Sequence, residues 1–414
     1  MSKGMQQAFI RQAVYNSRKV VVAYQVSFIN ETAPSNHCIP VSIFNNKCDP
    51  TKLQQLLSKI GIDNLSDSRP VIVMFDRRAL AYLVGFYLPA KSLVIEISPN
   101  EQLDEELLRL IVKCKNKGFT IIMGAAVLLS DHSDFLKLVN SVRVDIDNNT
   151  NNELEHVLTK PLPKNKRYIF DNVPSCEAYT ELNKLYNAPF FKGNIFSVPE
   201  MPREEKDKFS DSILVKAASH VMKDGFCYKK LTHVLEKDTK LTHQLILNLN
   251  SILYGRESKI NSIKQAICFM GENNMRKFVA LMATKSFVMK ADIQELYLQA
   301  TIRGRFCELL AINKEKNNAF VDKVFIVGLF SKLPDILGID MAEAVELLRI
   351  NNIVKETLLG KQTILKLYYD IALSYEKMEL EQLVSLAKKI GISVTHVSGL
   401  YQRALIDVKN DKYF

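Results

Sequence analysis

Seven short apolar runs recur through the first 200 residues of this chain, each separated from the next by a longer polar or amphipathic stretch. They are "KVVVAYQVSF" (19–28), "VIVMF" (71–75), "SLVIEI" (92–97), "FTIIMG" (119–124), "SVRVDI" (141–146), "RYIF" (167–170) and "APFFKGNIF" (188–196). Runs of this length, rich in β-branched and aromatic residues, read as strands buried on both faces. Parallel strands of that kind need helical crossovers between them. One crossover is plain in "LDEELLRLIVKCKNKG" (103–118), which is acidic at its start, basic at its end and closed by Gly118. That order suits the helix dipole, and the glycine suits a C-cap. Six or seven β/α repeats predict a parallel barrel, compressed below the ~250 residues usual for that fold.

From about residue 200 the period changes. "SDSILVKAASHVMKDGF" (210–226), "LTHQLILNLNSILYG" (241–255) and "SIKQAICFMG" (262–271) place apolar residues at i, i+3, i+4 and i+7, each ending at or beside a glycine. Ser262 and Gln265 have capping-box spacing. Further helices are predicted at 292–312, 320–332, 341–350 and 364–375. The charged, proline-containing "SVPEMPREEKDK" (197–208) marks the boundary. The expected organisation is α/β followed by all-α: a TIM-like barrel over residues 1–199 and a helical domain over 200–414.

A chain of 414 residues exceeds what one core usually supports, in keeping with two domains. No window reaches the ~20 uninterrupted apolar residues of a membrane span, and the N-terminal stretch lacks the apolar core of a signal peptide. The seven cysteines are scattered, never spaced CxxC, which points to reduced thiols and a cytoplasmic protein. The net charge of +10 is dispersed: residues 1–200 carry 23 Lys and Arg against 20 Asp and Glu, the remainder 32 against 25. With no basic cluster and no Trp for base stacking, nucleic acid ranks low among partners.

The first half resembles the EAL domain, the barrel that hydrolyses cyclic di-GMP. "IRQAVYNSRKVVVAYQVSF" is similar to its opening stretch, "LPAKSLVIEI" to the strand carrying a second glutamate, and "GFTIIMGAAV" to a strand ending in paired aspartates. "SVRVDI" resembles the Lys-x-Asp strand, and "APFFKGNIFSVPEM" the last strand and exit. The second half resembles the HDOD domain, a helical relative of the HD phosphohydrolases without their metal ligands. "LEKDTKLTHQLILNLNSILYGRESKINSIKQAICFMG" carries this likeness through Asn250-Ser251, Ile260, Ile263, Ala266-Ile267 and Gly271. The order resembles a two-domain EAL–HDOD class of bacterial signalling protein.

The resemblance implies metal-activated attack of water on a phosphodiester, which needs hard oxygen ligands. It places the signature glutamate on Gln25, an asparagine ligand on Met74, and the paired aspartates on Gly124 and Ala125. The lysine falls on Arg143, which stays protonated, and a glutamine falls on Lys192. Glu96, Asp145 and Asp171 remain as carboxylates, with salt bridges to Arg143 and Lys192 as their expected fate. None of the seven histidines is followed by Asp, so no HD pair exists. "RGRF" (303–306) reads as a solvated basic helix face.

The expectation at this level is a non-enzyme: a bacterial signalling protein with a degenerate EAL barrel, no metal and no cofactor, acting through other signalling proteins and forming a homodimer. The alternative is a metal-independent cyclic di-GMP receptor using Glu96, Arg143, Asp145, Asp171 and Lys192. A residual phosphodiesterase ranks behind both.

Overall fold

The computed structural model describes residues 8–29, 69–85, 90–129, 133–146, 159, 162–187, 189–193, 195–196, 212–222, 227–238, 242–243, 246–247, 250, 260–287, 294–377 and 379–410. The chain divides into two compact units, Met1–Ser197 and Val198–Phe414.

Eight strands close a barrel in sequence order: β1 (Ala8–Tyr15), β2 (Val21–Ile29), β3 (Val71–Phe75), β4 (Leu93–Ile97), β5 (Thr120–Gly124), β6 (Ser141–Asp145), β7 (Arg167–Val173) and β8 (Phe190–Gly193). Seven match the apolar runs. The eighth, β1, corrects the all-parallel expectation: it runs antiparallel to both β2 and β8. Its sequence, "AFIRQAVY", sets Arg11 beside Gln12 and so breaks the two-residue alternation by which a strand is recognised. The hairpin turn is local chemistry. Asn16 Oδ1 accepts from the backbone N–H of Arg18 at 2.9 Å and of Val20 at 3.0 Å, and Lys19 takes a left-handed φ of 58°.

Helices α1 (Arg77–Gly85), α2 (Glu105–Asn116), α3 (Ala126–Leu129), α4 (Ser133–Leu138) and α5 (Cys176–Leu185) lie between the strands. In α2, Asp104 caps the first turn by accepting from Leu107 N, Lys113 and Lys115 occupy the last, and Gly118 follows with φ 87°. Inside the barrel, Val14, Ala23, Ile72, Ile122 and Ile169 form an apolar plug against which Val94 and Phe190 pack. Because side chains alternate along a strand, the residue two positions further on shares that interior face. Two beyond Ala23, Ile72, Val94, Ile122, Ile169 and Phe190 come Gln25, Met74, Glu96, Gly124, Asp171 and Lys192, with Arg143 two beyond Ser141. One layer of the barrel therefore collects the substituted positions Gln25, Met74, Gly124, Arg143 and Lys192, while Ala125 lies outside it.

The second unit is helical throughout its described residues: α6 (Ile213–Val221), α7 (Tyr228–Leu235), α8 (Ile263–Phe287), α9 (Gln294–Ile312), α10 (Asn318–Phe330), α11 (Leu333–Leu337), α12 (Met341–Leu347), α13 (Asn352–Leu358), α14 (Lys366–Glu376), α15 (Leu380–Lys389) and α16 (Val394–Lys409). Most of the stretch 241–255 lies outside the described residues. Asn250 is described, and it explains part of the helical signature. Its side-chain amide brackets the backbone of Ile260, donating to the carbonyl and accepting from the N–H, both at 2.8 Å. The capping box closes one residue early, since Ser262 Oγ accepts from Gln265 N while Gln265 Oε1 accepts from Asn261 N. Helix α8 is broken at Gly271, whose φ of 76° no helix tolerates.

The core of this half centres on α9. Phe306 meets the rings of Tyr375 and Tyr401 edge-on at 5.4 and 5.3 Å. Gly304 and Gly328 let α9 and α10 touch backbone to backbone: a Cβ on Gly328 would lie 2.8 Å from Arg303 O. This corrects the reading of "RGRF" as a solvated face. Arg303 is buried, donates to Ser331 Oγ at 2.8 Å and forms an ion pair with Glu376. The motif was misread because a buried arginine has the same letter as a surface one, and only its tertiary partners distinguish them. Among the described residues, no helix is long and apolar enough to cross a membrane.

Candidate functional site

The site forms where the polar layer reaches the C-terminal end of the barrel strands. Strand β4 supplies Glu96, β6 supplies Arg143, β7 supplies Asp171, β8 supplies Lys192 and β2 supplies Gln25. A bulge sets the geometry. Between Phe170 and Val173 strand β7 advances three residues while β8 advances two. The extra residue lets Asn172 take a φ of 53°, which turns Asp171 inward and frees Asn172 to act as a clasp. The Asn172 N–H donates to Asp171 Oδ1 at 2.8 Å and its side-chain amide donates to Asp145 Oδ1 at 3.0 Å. Gly193 closes the same corner with φ 134°, its Cα pressed onto Val173.

The charges meet around two cations. Arg143 Nη1 lies 2.9 Å from Glu96 Oε1 and 3.3 Å from Asp171 Oδ2, and its Nη2 donates to Gln25 Oε1. Lys192 Nζ lies 2.8 Å from Asp171 Oδ2 and donates to Gln25 Oε1 at 3.2 Å. The Gln25 amide donates back to Glu96 Oε2 at 2.7 Å. All are nearly out of water, with side-chain exposures of 10% for Arg143, 7% for Lys192, 4% for Glu96 and 8% for Asp171. Gln25 is the neutral hub, since an amide can accept from both cations and still donate to a carboxylate.

Electrostatics separates the two acids. Burial pushes the Glu96 carboxyl above its ordinary range, and Arg143 with Lys192 recovers only part of that cost. Burial also opposes ionisation of Asp171, but Lys192, Arg143 and the Asn172 N–H outweigh it and hold its pKa below the ordinary value. Asp145 stands at the edge of this group, clasped by Asn172. Met74 is buried in register with Glu96. Gly124, in register with Arg143, leaves open space: a Cβ there would meet nothing within 4 Å.

These residues do not fit a divalent metal. The carboxylates of Glu96 and Asp171 are already engaged by fixed cations, and among the described residues no group of three His, Cys, Asp or Glu is arranged to hold a metal ion. No chemical step is therefore routed through one. The residue that sequence reasoning missed is Asn172. Its only signal is the Asp-Asn pair before Val173-Pro174, a combination that tolerates left-handed backbone.

Comparison with known proteins adds the following. Residues 211–368 match the HDOD domain. Over 391 residues the chain is 21% identical to "Cyclic di-GMP phosphodiesterase CdgJ" of Vibrio cholerae, covering 94% of this chain and 89% of that protein. It is also 21% identical to "Uncharacterized protein YuxH" of Bacillus subtilis, covering 85% of this chain and 86% of the other. Among solved structures, an EAL domain protein from Listeria monocytogenes matches 50% of this chain and 94% of its own at 15% identity, with a TM-score of 0.32. A Klebsiella pneumoniae BlrP1 complex with calcium and cy-diGMP matches 48% of this chain at 12% identity and a TM-score of 0.36, and this chain spans only 58% of it.

The expectation of a non-enzyme is corrected here, since a relative similar along nearly the whole chain bears the name of a phosphodiesterase. Residues 211–368 thus match the HDOD domain, in one chain with an N-terminal closed barrel of eight strands.

Proposed function

We propose that this chain works in cyclic di-GMP signalling and takes the dinucleotide at the barrel end, with Arg143 and Lys192 contacting its phosphate oxygens. The observation that carries this reading is the placement of two desolvated cations on one shared carboxylate, Asp171, beside the open space at Gly124. A phosphodiester can replace Asp171 as their anion without leaving either cation unpaired, and guanidinium–phosphate pairing is a strong, geometrically matched contact. Similarity to CdgJ over 94% of the chain supports the choice of nucleotide.

The test is calorimetric titration of cyclic di-GMP into the full-length chain with and without Mg²⁺, repeated with Arg143→Gln and Lys192→Gln. The same samples are assayed by chromatography for the linear dinucleotide. Saturable binding, weakened about tenfold or more by each substitution, supports the reading. Product that disappears in both variants adds turnover to binding. Absence of both heat and product sinks the proposal.

A further inference from the structure

A second site lies wholly within the helical half and is independent of the barrel. Where α8 restarts after Gly271, a cleft of about 470 Å³ opens, floored by Lys277, Glu308 and Asp322. All three are buried, with side-chain exposures of 8%, 3% and 6%. Lys277 Nζ contacts Glu308 and lies 2.6 Å from Asp322 Oδ1. The other Glu308 oxygen is held by Arg305 Nη1 at 2.6 Å, and Arg305 is anchored in turn on Asp407 at 2.7 Å. Both oxygens of Glu308 are therefore engaged.

Asp322 is different. Its Oδ2 is buried and receives no hydrogen bond among the described residues. Leaving a carboxylate oxygen so placed is unfavourable, and such atoms in native folds call for an explanation. Asp322 stands in the wall between this cleft and a neighbouring one of about 210 Å³. The χ2 torsion of aspartate is soft, which allows Oδ2 to turn toward a donor. Burial pushes the Asp322 carboxyl above its ordinary range despite Lys277, so the group gains from any further donor. The rim carries the amides of Asn273 and Asn274, and Ile312 with Val321 supplies an apolar wall.

We infer that this cleft binds a small organic amine or guanidine, whose N–H group donates to Asp322 while its carbon chain lies along Ile312 and Val321. The donor requirement follows from the unpartnered acceptor. The cationic class follows from Asp322: Glu272 and Glu308 are already paired with Arg276 and Arg305, which leaves the Asp322 carboxylate beside Lys277 as the charge in the lining that a ligand can share. The asparagine amides then accept from the ligand's remaining N–H groups.

Agmatine, with a guanidinium at one end and an ammonium at the other, is a suitable probe. It would be titrated calorimetrically into the full-length chain and into two variants. Asp322→Asn keeps the size of the side chain and a contact for Lys277 but removes the charge offered to the ligand. Asn273→Trp fills the cleft from a half-buried rim position and leaves the buried charges alone. The expected result is single-site binding, weakened about tenfold or more by Asp322→Asn and abolished by Asn273→Trp at unchanged melting temperature. No saturable binding to the unaltered chain overturns the inference, and so does equal binding by both variants. Should Asp322→Asn fail to fold, the result with Asn273→Trp decides the matter alone.

Discussion

Lys192 Nζ and Asp171 Oδ2 lie 2.8 Å apart across neighbouring strands, and the same oxygen is shared with Arg143 Nη1 at 3.3 Å. One carboxylate thus bridges two cations in the barrel interior, with Glu96 as the second carboxylate partner of Arg143. A buried charge whose partner is removed costs far more than the intact pair contributes. Asp171→Asn is therefore expected to destabilise the barrel by about 3 kcal/mol or more, read from urea unfolding followed by circular dichroism. A loss below about 1 kcal/mol would show that solvent reaches the cations.

Glu96 and Asp171 make opposite contributions to pH dependence. The folded-state pKa of Glu96 is raised above its ordinary 4.5, so the folded chain keeps this proton longer than the unfolded one. Between those two values stability falls as pH rises. Asp171 has its folded pKa below 3.8, so its contribution is present above that value and lost as pH falls through the folded one. Glu96→Gln should remove the first effect alone. The urea midpoint of the unaltered chain minus that of the variant should then decline with increasing pH above about 4.5. A difference that stays flat across the window would contradict the burial argument.

Two glycines of the same barrel end should respond oppositely to alanine. At Gly193, with φ 134°, a Cβ would lie 2.4 Å from Val173 N, so the bulge must open or the strand shift. A loss of about 3 kcal/mol or more is expected. At Gly124 a Cβ meets nothing within 4 Å, and Gly124→Ala should change stability by no more than about 0.5 kcal/mol. Parallel urea titrations of the two variants check the ordering.

In the helical half, the contact of α9 with α10 depends on Gly328 more than on Gly304. A Cβ on Gly328 would meet the Arg303 carbonyl at 2.8 Å, whereas one on Gly304 approaches no closer than 3.2 Å, to the movable ring of Phe325 and to its carbonyl. Gly328→Ala should cost about 2 kcal/mol or more, and Gly304→Ala less. Thermal unfolding of both variants would expose a reversed order.

The sequence by itself determined the architecture and the residue types of the site. Seven of the eight strands announce themselves because a strand buried on both faces must be apolar along its length, and that constraint is local. The change of period near residue 200 is local as well, as are the polar cap of α2 and its closing glycine. Strand β1 was not legible, because adjacent Arg11 and Gln12 interrupt its alternation and its identity rests on pairing with β2 and β8. The roles of the charges were decided only by the tertiary structure. Gln25 and Lys192 stand 167 positions apart, and Arg303 and Glu376 stand 73 apart. Whether such groups are solvated, paired or poised over a cleft depends on which strands and helices become neighbours. The energies of buried charge are set by those neighbours and by the loss of water, and neither is written in the local order of residues.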